Sequence, residues 1–252
     1  MTTAIAPQWL GELWSNVTYQ RRIVPLLSSA PLTGMKAKGY RWKDRPGVEK
    51  YAGDKAEIPS KPASVESVEM EAQRWAGGND LDRAFWDFNE TEILRAYWAA
   101  MAESYAKETD LDAAAWLIEQ ATTIETPAPD LIRGIARAGL DVLNKTDQDA
   151  TFALVNPLDI ESLLDFAELD APKFMDAVPI ANPNKWTTSN AVTRGTAIVG
   201  TKSAATFYEL TGSPLRVEAE HIAHGGRDAA LFGYTAHLLN KPGGIAKITI
   251  GA

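Results

Sequence analysis

The run Asn89-Glu90-Thr91-Glu92-Ile93-Leu94-Arg95-Ala96-Tyr97-Trp98-Ala99-Ala100-Met101-Ala102-Glu103-Ser104-Tyr105-Ala106-Lys107 places Leu94, Tyr97, Trp98, Met101 and Tyr105 on one face at a period of 3.6 residues. Asn89 with Glu92 three residues later resembles a capping box, so the spacing predicts a helix over about 90–107. At 1.5 Å per residue it is roughly 27 Å long, enough to cross a domain as a spine. A stripe of Tyr, Trp and Met at this spacing reads as a core face rather than a cofactor box.

Downstream, 111–124 and 130–143 read as further helices. The second carries Leu131, Ile132, Ile135, Ala136, Leu140 and Leu143 on one face, with Asp130 as its cap. At 150–155 an apolar strand run begins, and Asn156-Pro157 then opens a helix with Pro at its first position, running to about residue 169. Strands are expected at 177–181, 195–200, 204–210, 215–222, 229–239 and 245–250, separated by Gly, Pro and Asn. Helices early and strands late make the fold class α+β.

Upstream, residues 62–92 carry eight carboxylates against Arg74 and Arg83, net −6, while 36–61 carry eight cations against four carboxylates, net +4. The acidic block holds a strand at 64–71, a turn at 74–82 and the aromatic run Phe85-Trp86-Asp87-Phe88. The basic block reads as a hairpin: 38–43 going out, a turn at 44–47, and a return strand toward Ile58. Neither face of it is apolar, and an isolated two-stranded ribbon is marginal in water, so it must lie on something else or be a solvated loop. Before it, 1–35 forms an arm too short for its own core. Trp9, Leu10, Leu13 and Trp14 recur there at helical spacing and need to dock on the same chain or a neighbour.

The chain has 252 residues, 45% of them hydrophobic and 23% charged, which excludes global disorder and collagen-like repeats. A net charge of −8 is the wrong sign for a protein whose whole surface grips phosphate, so nucleic-acid contact must be local or indirect. The absence of cysteine removes disulfides, thiol nucleophiles and Cys-ligated metals. The first residues lack the pattern of a secretion signal, and no window approaches eighteen uninterrupted apolar residues, so a soluble protein made in the cytoplasm is expected.

Enzyme signals are thin. The sequence has no G-x-x-x-x-G-K-[ST], no G-x-G-x-x-G after a strand, no G-x-S-x-G and no H-E-x-x-H. The cluster 218–228 holds His221 and His224 with three carboxylates. On a strand those histidines point to opposite faces and cannot share a metal without a bend at Gly225-Gly226, which reads as a bulge or turn. His237 lies in a strand-like run and reads as structural. Glu66, Glu69 and Glu71 suggest a solvated strand face rather than a glycosidase pair.

The stretch Phe207-Tyr208-Glu209-Leu210-Thr211-Gly212-Ser213-Pro214-Leu215-Arg216-Val217-Glu218-Ala219-Glu220-His221-Ile222-Ala223-His224-Gly225-Gly226-Arg227-Asp228-Ala229-Ala230-Leu231-Phe232-Gly233-Tyr234 resembles the closing strands of tailed-bacteriophage major capsid proteins of the Hong Kong 97 type. The segments 76–83 and 152–157 resemble two further stretches of that family, and the resemblance spans nearly the whole chain. It implies an N-terminal arm (1–35), an extended loop (36–72), a peripheral domain with the spine helix (73–112 and 215–234) and an axial domain (113–214 and 235–252).

The resemblance implies a shell subunit of the virion. It would self-assemble in the host cytoplasm into hexamers and pentamers of an icosahedral head around double-stranded DNA, with no enzyme activity, cofactor, metal or membrane. A separate scaffolding protein, a portal and decoration proteins are its implied partners, and no intersubunit crosslink is expected. Inter-subunit contacts are expected from Trp9, Trp14, Tyr40, Arg41, Trp42, Lys43 and Arg45, the basic loop meeting the acidic segment of a neighbour. The alternatives are an encapsulin-like bacterial nanocompartment shell and a hydrolase using Glu220, His221 and His224.

Overall fold

The computed structural model describes residues 19–164, 175–221 and 225–251. Its elements are β1 (Ser28–Leu32), β2 (Lys36–Asp44), β3 (Ser64–Glu71), β4 (Gln73–Asp82), α1 (Ala84–Asp87), α2 (Thr91–Gln120), β5 (Thr122–Ala128), α3 (Leu131–Thr146), β6 (Phe152–Val155), β7 (Trp186–Thr188), β8 (Thr196–Gly200), β9 (Ala205–Leu210), β10 (Leu215–His221), β11 (Gly226–Leu239) and β12 (Ile245–Ile250). Helices and sheets are mixed as the α+β reading expects.

Helix α2 is far longer than the sequence suggests: it runs on through 111–120, where a second helix was expected, and measures about 45 Å. Thr109 and Asp110 look like a break because polar residues interrupt the stripe. Both are buried mid-helix and satisfied there: the Thr109 hydroxyl donates to Tyr105 O at 2.8 Å, and Asp110 caps another segment. The helix ends where Thr122, Thr123 and Ile124, stiff at χ1, favour the extended backbone of β5. The capping box does not form; Asn89 sits at φ 56 in the turn after α1, and Glu90 is the N-cap without a side-chain bond.

Two sheets organise the body. In one, labelled peripheral after the domain that the resemblance implies, the order is β1-β9-β11-β10, and β4 also pairs with β11. The stretch 74–82, expected as a turn, is therefore strand β4, with Gly77 and Gly78 letting α2 and β11 approach closely. Helix α2 covers one face of this sheet, packing Trp98 and Tyr105 on Ala229 and Leu231. Strand β9, which sequence places with the axial domain, belongs here, and β11 continues past 234 to Leu239.

The other sheet, labelled axial on the same ground, has the order β5-β12-β8-β6-β7 and is covered on both faces. Phe152, Leu154, Ile198 and Ile245 face one core with Leu117 of α2, whereas Ala153, Val155, Val199 and Ile248 face a second core under α3. Double coverage explains why β6 is apolar at consecutive positions instead of alternating. Asp130 caps α3 as expected, its carboxylate accepting from Arg133 N at 2.8 Å.

Two further expectations change, and one left open is decided for the described residues. The helix after Asn156-Pro157 is a 3-10 helix, Pro157–Leu163, with Asn156 accepting from Leu158 N; its expected continuation to residue 169 runs out of the described residues. The expected strand at 177–181 gives way to the 3-10 turn Pro179–Ala181, because proline fixes φ and cannot donate to a ladder. The described part of the arm docks on its own body: Ile23, Val24 and Leu27 enter the first axial core, and β1 pairs parallel with β9.

Candidate assembly surface

Strands β2 and β3 form a two-stranded ribbon in which Lys36, Lys38 and Arg41 stand opposite Glu71, Glu69 and Glu66. Each pair closes as an ion pair, Lys38 with Glu69 at 2.5 Å, Lys36 with Glu71 at 3.8 Å, and Arg41 with Glu66. The return strand is thus β3, not a segment leading to Ile58. Opposite charges directly across an antiparallel pair select this register, and 45–63 becomes a long connection without a strand. Gly53, Asp54 and Lys55 turn it at positive φ.

The two ribbon faces differ. On one, Val68 and Met70 are half-buried, Gly39 lies against Leu238, and Arg41 donates to Leu239 O at 3.5 Å. This face seats the ribbon on β11 of its own chain, correcting the expectation that neither face is apolar and that the hairpin lies across a neighbour. The other face is open: Tyr40 is 78% exposed and Trp42 50%, with Val65 directly across from Trp42. Lys43 and Arg45, at the outer end, have no carboxylate partner among the described residues. Arg41 and Glu66 are engaged with each other within their own chain, whereas Glu69 and Glu71 remain largely exposed to solvent.

An acidic patch does remain unmatched. Asp80 of β4 and Asp228 of β11 stand directly opposite one another, and Asp82 follows two residues on, all on the sheet face away from α2. Like charges at such positions destabilise a sheet, and no cation pairs with any of the three among the described residues. The carboxylate of Asp80 lies over Gly226, where a Cβ would stand 1.9 Å from its Oδ1. The acidic count of 62–92 held Asp80 and Asp82 but could not separate them from the glutamates that face β2, and it did not reach Asp228.

The arm root is locked by a feature the sequence did not disclose. Oδ1 of Asp110 accepts from Ile23 N and Val24 N, and Oδ2 from Arg22 N and the Tyr19 hydroxyl, all at 2.7–2.9 Å. Beside it Arg21 makes a two-pronged pair with Glu209 at 2.8 and 2.9 Å, and the Tyr105 hydroxyl donates to the same carboxylate. Burial, and then the hydrogen bond to Asp110, pushes the Tyr19 phenol up to about 12. Burial and the bond to Glu209 raise Tyr105 well above the ordinary tyrosine value. An isolated Asp in a helical run gives no signal of such a partner eighty-odd residues away.

Trp9, Trp14 and His224 lie outside the described residues. Glu220 and His221 are consecutive on β10, paired with Arg227 and Gly226 of β11. Arg227 meets Glu218 at 3.5 Å and lies over the Trp86 ring. No group of three metal-ligating side chains occurs among the described residues. The side chain of His237 is 3% exposed, bonds Asp112 at 2.8 Å and stacks on Trp116, a packing position between β11 and α2.

No protein-family model matches the chain, and no curated protein does. Solved structures match it end to end. One from Microbacterium phage Oxtober96 superposes with a TM-score of 0.71 at 12% identity, covering 98% of this chain and 96% of that one. The capsid of an empty GTA particle gives 0.70 at 11% identity, covering all of both chains. The capsid structure of the cyanophage P-SCSP1u gives 0.65 at 10%, covering 97% and 93%. The chain therefore has the Hong Kong 97-type α+β fold seen in phage capsids.

Proposed function

We propose that the protein is the major shell subunit of a phage-type virion, self-assembling into hexamers and pentamers around double-stranded DNA, with a structural rather than catalytic role. What carries the reading is the ribbon. It is anchored at its root and leaves Tyr40, Trp42 and Val65 open to solvent, with two unpaired cations beyond, on a fold shared with capsids over its full length. Extended elements of this kind let one subunit bind neighbours at slightly different angles.

The surface that complements the ribbon's outer end is the Asp80, Asp82 and Asp228 patch of another copy. Surface ion pairs contribute only about 0–1 kcal/mol each, so the aromatic pair supplies the anchoring and the charges set the register. A separate scaffolding protein, a portal and decoration proteins complete the particle.

Electron microscopy of the purified protein, alone and with co-expressed scaffold, tests the reading. Closed shells or rings are expected, and a monodisperse monomer at high concentration in both conditions overturns it. Shells holding a protein cargo and no DNA in the native source point to a nanocompartment instead. Lys43→Glu with Arg45→Glu should abolish or salt-sensitise assembly in a folded subunit, and adding Asp80→Lys with Asp228→Lys should restore it.

A further inference from the structure

Between the arm root, α2 and the loop after β7 lies a cavity of about 170 Å3 lined by Arg22, Lys107, Thr188, Ser189 and Asn190, with Leu111 and Pro157 as apolar walls. Arg22 and Lys107 come from segments 85 residues apart in sequence, and neither side chain has a carboxylate partner among the described residues. The carboxylate on the cavity wall, Asp110, has both oxygens doubly occupied by the arm donors, leaving no lone pair for either cation. That clamp also fixes the backbone from which Arg22 projects.

Ser189 is buried; its oxygen accepts from Ala191 N at 3.2 Å, and its hydroxyl hydrogen stays free to donate, with no acceptor for it among the described residues. Two cations against one carboxylate whose acceptor sites are filled, a buried hydroxyl and an amide side chain around one small cavity leave a net positive charge and free donors, which suit a ligand that is anionic, compact and acceptor-only.

We infer that this cavity binds a phosphate group, held by Arg22 and Lys107 and oriented by the Ser189 hydroxyl. Phosphate suits the set better than a carboxylate because its oxygens reach donors in more than one plane, as the three elements present them. The site itself stands on this geometry; that the phosphate belongs to enclosed DNA rests on the shell reading above. A locally cationic cavity on a chain of net charge −8 provides the kind of local backbone contact that such a wall permits.

The test uses the unassembled full-length subunit. Inorganic phosphate is titrated calorimetrically at constant ionic strength, and a labelled duplex of random sequence is followed by anisotropy with phosphate as competitor. Wild-type protein should bind phosphate saturably, and Arg22→Gln and Lys107→Gln should each weaken it roughly tenfold, the loss of one charge-assisted hydrogen bond. Glu103, which accepts from Tyr19 N one turn before Lys107, keeps that acceptor as Glu103→Gln and should tighten phosphate binding.

Duplex competing with phosphate identifies DNA as the source; phosphate binding without competition identifies free phosphate. Binding unchanged in all three variants, or absent from the wild type, overturns the inference. Failure to form shells leaves the phosphate titration intact, so the two readings fail separately.

Discussion

The Tyr19 hydroxyl donates to Oδ2 of Asp110 at 2.7 Å, closing a cap in which one buried carboxylate on the spine helix accepts four donors from the arm root. Three of those donors are consecutive backbone N–H groups. Asp110→Ala should therefore cost about 3 kcal/mol in equilibrium denaturation, since buried donors lose their acceptor together. A loss under 1 kcal/mol would mean the arm root finds water instead.

The same bond has an alkaline signature. Because the folded pKa of Tyr19 lies above the ordinary value of 10.0, at about 12, folding favours the neutral phenol. Its contribution is complete below pH 10 and is lost as pH rises through about 12. Phenolate absorbance should show several late-titrating groups, of which one disappears in Tyr19→Phe and shifts downward in Asp110→Asn while that of Tyr105 stays.

Gly233 faces Tyr105, and a Cβ there would stand 2.2 Å from the ring. Gly233→Ala should destabilise the subunit by about 1–3 kcal/mol through overpacking. Gly47→Ala, with open space around it, should leave the melting temperature unchanged. Equal effects at both sites would contradict the close approach of α2 to β11.

Arg41 and Glu66 are half-buried and tie the ribbon to Leu239, whereas Lys36 and Glu71 are largely exposed. Arg41→Ala should accelerate amide exchange in β2 and β3 while α2 and the axial strands keep their rates. Lys36→Ala should change neither beyond about 0.5 kcal/mol. Reversing the pair, Arg41→Glu with Glu66→Arg, should recover most of the protection.

Local periodicity made much of this fold legible. The stripe from Leu94 to Tyr105, the cap at Asp130 and the apolar run ending at Val155 each carry their information within a few residues. What escaped depends on partners far along the chain. Strand β4 hides behind Gly77-Gly78-Asn79-Asp80, which reads as a turn until β11 is beside it. The spine helix looks finished at Lys107 because Thr109 and Asp110 are polar, and only the arm explains them. For the candidate surface, Tyr40, Trp42, Lys43 and Arg45 were visible as an aromatic and basic run. The consumption of Arg41 by Glu66 is a matter of register, which charge counts do not contain.

The spine helix is supported unequally along its 30 residues. Its C-terminal half, at Ala113, Ala114 and Leu117, is sunk in the core of a sheet covered on both sides; its N-terminal half rests on the other sheet through the smaller cluster of Trp98, Tyr105, Ala229 and Leu231. Mechanically this is a beam built into a wall at one end and laid on a thin plate at the other. Stiffness falls from Asp110, where the arm root is clamped on, toward Thr91, and a load applied to the free end is taken up as bending on the N-terminal side of Tyr105, leaving the embedded end at rest.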